Sequence, residues 1–298
     1  MYLMGIADEA GVAVESQIRA TKTLGWKYLE ARNIQAPGFP PGNLHDIPDA
    51  AFEGVVQALE NAGVGVYCFG SAIANWAKKI DQPFEPTLAE VRRAIPRMQR
   101  LGSRFIRIMS FAIREAADQM EEERFRRLRE ITAMFLDAGL QPVHENCMNY
   151  GGMGWPFTLK LLEAVPGLKL VFDTGNPVFN HDRSKPMPYP KQDPWEFYHH
   201  VREHIVHVHV KDLYWSEDQK EVYTYPGEGK AEVRRILTDL VGRGYEGGIS
   251  IEPHLAVVFH DASIKASAEN QFNSYVEYGR RLVKMLDDIQ AGFLGPKV

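Results

Sequence analysis

Short hydrophobic runs alternate with helix-patterned segments along the whole chain, and this alternation is the strongest constraint on its fold. The runs are rich in Val, Ile, Phe and Tyr, residues that favour β-strands. We predict eight strands, near Tyr2–Ala7, Tyr28–Ala31, Val64–Phe69, Phe105–Met109, Pro142–Asn146, Lys169–Asp173, Ile205–Lys211 and Gly248–Glu252. The first and last strands start 246 residues apart, so a strand begins about every 35 residues. This spacing is the length of one strand–helix unit.

The segments between the strands have the 3.6-residue periodicity of amphipathic helices. Several end at a glycine, which commonly follows the last turn of a helix, as at Gly63, Gly102 and Gly139. An open doubly wound sheet is the alternative arrangement of such units, but no Gly-x-Gly-x-x-Gly follows the first strand. We therefore predict a single-domain (β/α)8 TIM barrel spanning residues 1–298.

Composition and charge exclude several classes of protein. The chain is 45% hydrophobic and 24% charged, as in ordinary globular proteins. Its net charge of −5 argues against a nucleic-acid partner, and no apolar stretch approaches the ~18 residues of a membrane helix. The two cysteines lack Cys-x-x-Cys spacing, and no signal-peptide pattern precedes Asp8 and Glu9. We expect a cytoplasmic protein that binds neither nucleic acid nor membranes.

Polar residues end the last four predicted strands, where the catalytic residues of a (β/α)8 barrel lie. They are Glu145, Asp173, His209 and Glu252. The two-residue period of strands turns His209 and Glu252 toward the barrel axis and the neighbouring valines and isoleucines toward the helices. Three carboxylates at one height repel each other unless a cation neutralises them. Each alone could be a rim residue paired with an arginine, but four on consecutive strands predict a site for Mn²⁺, Mg²⁺ or Co²⁺, with Zn²⁺ as an alternative.

These strand endings resemble the xylose isomerase-like barrel superfamily, in particular its sugar and sugar-phosphate isomerases and epimerases. The similar segments, in family order, are Glu145-Asn146, Asp173-Thr174-Gly175-Asn176, His209-Val210-Lys211-Asp212, Pro226-Gly227-Glu228-Gly229 and Ile251-Glu252. The resemblance implies one divalent ion, often manganese, held by Glu145, Asp173, His209 and Glu252. It also implies that Glu145 and Glu252 move protons, as in ketose 3-epimerases. The chain departs from the pattern at Asn176, where many relatives have histidine, and Asn176 is predicted to contact the substrate in its place.

Other polar residues near the strand ends are candidates for substrate contacts. Lys211 faces inward and either holds a substrate oxygen or phosphate or forms a rim salt bridge. Glu30 and Arg32 end the second strand with the parity needed to reach a sugar hydroxyl. Trp76, in the loop after the third strand, either stacks on a sugar or only covers the barrel mouth.

Two further inward-facing residues have structural alternatives. The His-x-Lys-Asp match favours His209 as the ligand, so His207 is interpreted as a hydrogen-bonded core residue one layer deeper. Arg107, on the fourth strand, either contacts a sugar hydroxyl or pairs with a neighbouring acid.

The predicted activity is metal-dependent isomerisation or epimerisation of a sugar, sugar phosphate or related polyol ketone. A divalent ion on adjacent carbonyl and hydroxyl oxygens lowers the barrier to removing the proton between them and stabilises the resulting enediolate. If the β-hydroxyl leaves instead, the enzyme is a dehydratase or lyase of a keto-sugar or inosose. An AP endonuclease-like DNA repair enzyme and a non-catalytic sugar-binding barrel are the remaining hypotheses. The expected partner is a small carbohydrate, and we allow for a homo-oligomer, either a dimer or a tetramer.

Overall fold

Eight parallel strands form the inner ring of the fold, in the chain order expected from the sequence. The computed structural model describes residues 1–256 and 266–294. The ring strands are β1 (Tyr2–Gly5), β2 (Tyr28–Ala31), β3 (Gly65–Gly70), β4 (Phe105–Ile108), β5 (Gln141–Glu145), β6 (Lys169–Asp173), β7 (Ile205–Val210) and β8 (Gly248–Ile251). They are hydrogen-bonded in the order β1-β8-β7-β6-β5-β4-β3-β2, and a bridge between Ile6 and Glu30 joins the two edges. The predicted (β/α)8 TIM barrel is confirmed.

Eight helices of two or more turns surround the ring in the described part of the chain. They are α1 (Val14–Thr23), α2 (Asp49–Ala62), α3 (Glu85–Leu101), α4 (Glu121–Asp137), α5 (Trp155–Ala164), α6 (Pro194–Val201), α7 (Val233–Gly242) and α8 (Ala268–Leu294). Gly63 and Gly102 follow α2 and α3 with φ of +65° and +63°, a left-handed conformation that glycine adopts without steric cost. None of the described helices is both long and apolar enough to cross a membrane.

Two short hairpins at the carboxyl ends of the ring strands were not predicted. The first pairs Asn33–Ile34 with Gly42–Asn43 after β2, and the second pairs Asp212–Trp215 with Glu221–Thr224 after β7. Both follow a ring strand directly, so they lie on the side of the barrel where its polar residues collect.

Strand β7 contains one residue more than its neighbour β6 along their shared edge. Leu170 pairs with Ile205 and Val171 with His207, which leaves Val206 in a β-bulge. Val206 contacts a small cluster inside the barrel, whereas the next two valines pack with the helix layer. The predicted alternation therefore holds from His207 onward and fails at Val206, because the bulge interrupts the two-residue period.

The loop between β7 and α7 is organised by the carboxylate of Asp212. Its Oδ1 accepts the backbone N–H groups of Leu213 and Ala231 at 3.0 Å each. Its Oδ2 accepts those of Gly227 at 2.8 Å and Gly229 at 3.1 Å. A Cβ atom at Gly229 would lie 2.2 Å from Asp212 Oδ1, so only glycine permits this approach. These hydrogen bonds therefore hold the Pro-Gly-Glu-Gly element, residues 226–229, beside the end of β7.

Replacing Asp212 by Ala should lower the free energy of unfolding by about 2–4 kcal/mol. Four backbone donors would lose their acceptor, and an unsatisfied buried donor costs about 1–3 kcal/mol. Asp212→Asn keeps one acceptor oxygen and should cost less. Urea denaturation measures both variants, and an Asp212→Ala protein as stable as the wild type would contradict this role.

Candidate functional site

A cavity of about 260 Å³ opens at the carboxyl ends of the ring strands. Glu145 and Arg107 line it from β5 and β4, while Arg32, Lys211 and Glu252 line it from positions directly after β2, β7 and β8. All five side chains are buried. Acidic and basic groups thus converge at the end of the barrel where enzymes of this architecture carry their active sites.

The four residues predicted as metal ligands lie together, and two of them, Glu145 and Glu252, line this cavity. Glu145 ends β5, Asp173 ends β6, His209 is the last residue but one of β7, and Glu252 directly follows β8. One donor atom from each lies within 4.8 Å of those of the other three. Asp173 and His209 are fully buried, and Glu145 and Glu252 are 2% and 3% exposed. The strand ends therefore bring three carboxylates and one imidazole within reach of a single cation.

Asp173 is held rigidly by the chain around it. Its Oδ1 accepts the backbone N–H groups of Gly175 and Asn176, both at 2.8 Å. Its own backbone exchanges two hydrogen bonds with the side chain of Asn146, at 2.7 and 3.0 Å. The second carboxylate oxygen, Oδ2, is left to face the ammonium group of Lys211 at 3.0 Å. This arrangement fixes one oxygen in the loop and directs the other into the cluster.

Each of the two glutamates is held by an arginine. Glu145 Oε2 accepts a hydrogen bond from Arg107 Nη1 at 2.9 Å. Glu252 Oε1 accepts one from Arg32 Nη1 at 2.9 Å, and its Oε2 accepts one from Lys211 Nζ at 3.1 Å. These charge-assisted bonds orient both carboxylates.

Burial raises the pKa of every carboxyl group in the cluster, and neighbouring charges decide the net direction. For Glu145 the opposing charges, Arg107 first among them, lower the pKa to about 2. Lys211 is the strongest of the charges that hold the pKa of Glu252 well below its usual range. For Asp173, burial and the adjacent glutamates outweigh Lys211 and raise the pKa to about 8. Both glutamates are therefore ionised, and the crowding of carboxylates penalises the charge on Asp173.

His209 places its two ring nitrogens in different surroundings. Its Nε2 lies 3.1 Å from both carboxylate oxygens of Glu30. Its Nδ1 has no partner among the described residues, and it lies 3.6 Å from Glu145 Oε1 and 3.9 Å from Glu252 Oε2. A buried imidazole nitrogen facing carboxylate oxygens provides the donor set that Mn²⁺, Co²⁺ and similar ions accept.

Negative charge exceeds positive charge in the network around these ligands. Among the described residues, six buried carboxylates are connected to three permanent cations. The carboxylates are Asp8, Glu9, Glu30, Glu145, Asp173 and Glu252, and the cations are Arg32, Arg107 and Lys211. Without an ion, Asp173 and His209 each hold a proton, because burial and the adjacent glutamates raise the pKa of Asp173 to about 8 and Glu30 and Glu145 raise that of His209 to about 10. An uncompensated buried charge costs several kcal/mol. The residues present therefore fit a divalent ion in donor type, and the charge of such an ion would replace the protons on Asp173 and His209.

Four of the five residues predicted to contact substrate line the cavity. Lys211, Asn176, Arg32 and Trp76 reach it, whereas Glu30 is fully buried and lies outside its lining. Asn176 also donates to the cluster, from Nδ2 to an oxygen of Glu145 at 3.1 Å. Trp76 is 45% exposed at the cavity edge, where a ring could stack on a ligand.

Asp8 and Glu9, which follow β1, are functional candidates that were not predicted from the sequence. Asp8 Oδ2 accepts from Arg32 Nε at 3.0 Å, and Glu9 Oε1 accepts from Arg32 Nη2 at 3.2 Å. Glu9 Oε1 also lies 2.9 Å from His254 Nδ1. Their position after a ring strand is the signal that could have identified them, since it identified the other four strand-end residues.

The sequence offers two roles for Arg107, a contact with a sugar hydroxyl or an ion pair with a neighbouring acid. In the structure Arg107 pairs with Glu145 and also lines the cavity.

Comparison with known proteins places these residues in a wider context. A sequence model of the family described as xylose isomerase-like TIM barrel matches residues 18–271. Fructoselysine 3-epimerase of Escherichia coli O157:H7 is 30% identical over 66 residues, 22% of this chain and 23% of that protein. The match thus spans less than a quarter of this curated relative's length.

Two solved structures are similar over nearly their whole length. A xylose isomerase-like TIM barrel protein from Mycobacterium smegmatis, in complex with magnesium, superposes with a TM-score of 0.68 at 15% identity, covering 97% of each chain. A D-tagatose 3-epimerase-like protein gives a TM-score of 0.68 at 17% identity, covering 98% of this chain and 100% of that one. At these identities the two structures support the fold alone.

Proposed function

Because this chain belongs to the xylose isomerase-like TIM barrel family, we propose that it is a divalent-metal-dependent isomerase or epimerase. The substrate would be a sugar, a sugar phosphate or a related polyol ketone. The observation that carries the proposal is the cluster of Glu145, Asp173, His209 and Glu252, whose donor atoms lie within 4.8 Å of one another. Glu145 and Glu252 also line the cavity. The local similarity to a fructoselysine 3-epimerase supports epimerisation as the reaction class.

The four cluster residues would hold the ion, for which we propose Mn²⁺, with Mg²⁺, Co²⁺ and Zn²⁺ as alternatives. When bound, such an ion polarises adjacent carbonyl and hydroxyl oxygens and acidifies the C–H bond between them. The donor set of the cluster, three carboxylates and one imidazole, supports a divalent ion at this site.

Glu145 and Glu252 are the proposed acid/base pair. Both are ionised and border the cavity, so either can accept a proton from a substrate carbon beside a carbonyl group. Return of a proton by the other glutamate would invert that carbon or relocate the hydrogen. Arg107 and Arg32 keep the two carboxylates in place during this exchange.

Proton exchange with solvent tests this reaction directly. We expect the Mn²⁺-loaded protein, incubated in D₂O with ketoses, their phosphates and cyclitol ketones, to convert at least one of them. NMR should detect an isomeric product with deuterium at the inverted or relocated carbon. Loss of water to give an unsaturated or deoxy-keto product would instead support a dehydratase. Sugars that bind without exchange or product would identify a non-catalytic binding protein, and the chelated protein serves as the control.

A further inference from the structure

Glu30 is a carboxylate enclosed in the barrel beneath the cavity, with no exposed surface. Its Oε2 lies 2.7 Å from Nε2 of His207, and both of its oxygens lie 3.1 Å from Nε2 of His209. The two imidazole rings are perpendicular, with an interplanar angle of 87° and centroids 5.2 Å apart. Glu30 lies on β2 and the histidines on β7, strands that are not neighbours in the ring. One carboxylate thus spans the barrel interior and meets two imidazole nitrogens.

In the neutral form that can bind a metal ion, this geometry selects the tautomer of both histidines. An ionised carboxylate only accepts hydrogen bonds, so each Nε2 that faces it carries a hydrogen. A neutral imidazole has a single N–H, which leaves the lone pair on Nδ1. Within the part of the chain that the structure describes, the Nδ1 atom of His209 has no hydrogen-bond partner, and it lies 3.6 Å from Glu145 Oε1, beside the proposed ligands.

Local irregularities in two strands accompany this contact. Glu30 pairs with Cys68 and the preceding Leu29 with Val66, so Tyr67 is an extra residue of β3 opposite β2. The ring of Tyr67 packs against His207, with centroids 5.5 Å apart. A second bulge, at Val206, immediately precedes His207 on β7. Bulges redirect neighbouring side chains. Here one bulge lies on β7, which carries the histidines, and the other lies on β3, next to the strand that carries Glu30.

We propose that Glu30 is a positioning residue that anchors His209 through Nε2 and thereby presents Nδ1 to the divalent ion. His207 provides a second donor that fixes the orientation of Glu30. This inference rests on the metal site of the proposed function and replaces the sugar contact expected of Glu30 from the sequence. Carboxylate partners of this kind orient metal-binding histidines and raise their basicity.

Glu30→Gln tests the inference because it preserves shape but replaces one acceptor oxygen with a donor. One imidazole N–H would then face an amide N–H, which favours the other tautomer of that histidine. We expect the dissociation constant for Mn²⁺, measured by calorimetry on the full chain, to rise about 10–100-fold. Glu121→Gln changes a glutamate on α4 that bonds Tyr150 and Lys160, and it should leave the dissociation constant unchanged.

A spectroscopic measurement on the wild type keeps the test independent of how the variant folds. With ¹¹³Cd²⁺ bound to ¹⁵N-histidine-labelled protein, the cadmium coupling should fall on Nδ1 of His209 and the ring hydrogen on Nε2. Coupling to Nε2 instead, or unchanged Mn²⁺ affinity in a folded Glu30→Gln protein, would overturn the inference. Normal metal binding and the expected Glu30→Gln effect without any sugar turnover would overturn only the proposed function. Sugar turnover with unaltered Mn²⁺ affinity in Glu30→Gln would overturn only the role of Glu30.

Discussion

Replacing Glu145 or Glu252 by Gln is expected to lower turnover of the Mn²⁺-loaded protein by about 10²–10⁴-fold in each variant. A positioned proton acceptor contributes a factor of this size, and glutamine cannot accept the proton. Glutamine keeps the shape of the side chain and one oxygen that can reach a metal ion. The oxygens of Glu145 and Glu252 bond Arg107 and Arg32, and a glutamine oxygen can accept the same bonds. The barrel should therefore remain folded while the proton transfer fails.

The measurement is the rate of deuterium incorporation and product formation with a substrate found in the D₂O screen. Manganese content, determined on the same samples, separates loss of the acid/base group from loss of the ion. Glu121→Gln makes the same chemical change away from the cavity and should keep full turnover. Either active-site variant retaining wild-type turnover with manganese bound would refute the assignment of the pair.

The architecture and the cluster could be predicted because both follow from patterns along the chain. The strands Tyr28–Ala31 and Lys169–Asp173 have the predicted bounds, since each is a hydrophobic run that ends at a charged residue or beside one. In a barrel the carboxyl ends of parallel strands meet on one face, so residues far apart in sequence can be placed together by position alone. The proximity of Glu145, Asp173, His209 and Glu252 is the result of this rule.

The partners of these residues could not be predicted, because they depend on height and register within the barrel. Alternation indicates that Glu30 points inward, but it does not distinguish the cavity from the layer beneath it. The bulges at Tyr67 and Val206 are shifts in pairing that leave no clear mark in a single sequence. The sequence does not distinguish a substrate contact from a salt bridge for Lys211. In the structure, Lys211 lines the cavity and also forms ion pairs with two carboxylates.

Asp173→Asn is expected to weaken Mn²⁺ binding by more than ~100-fold, because altering even the partners of a ligand costs about 10–100-fold. In the wild type, the backbone N–H groups of Gly175 and Asn176 donate to Asp173 Oδ1 at 2.8 Å. The asparagine oxygen can accept the same two hydrogen bonds, so the loop should keep its shape. Its amide nitrogen would replace the oxygen that faces Lys211 and the cluster, and one negative charge would be lost. Metal analysis after dialysis and calorimetry with Mn²⁺ measure the effect.

The thermal stability of the metal-free protein is a second test of Asp173→Asn, and here no loss is expected. Burial and the adjacent carboxylates raise the pKa of Asp173 to about 8, so without a cation the neutral carboxyl is favoured at pH 7. Asparagine mimics that neutral form, and the thermal midpoint of Asp173→Asn in chelator should be no lower than that of the wild type. Asp239→Asn is the matched control. Asp239 lies on α7, accepts a hydrogen bond from the Tyr198 hydroxyl at 2.7 Å and does not line the cavity. It should bind Mn²⁺ like the wild type. Full manganese content in Asp173→Asn would exclude Asp173 as a ligand. A variant that binds no manganese but is as stable as the metal-free wild type would indicate that Asp173 serves metal binding and does not stabilise the fold.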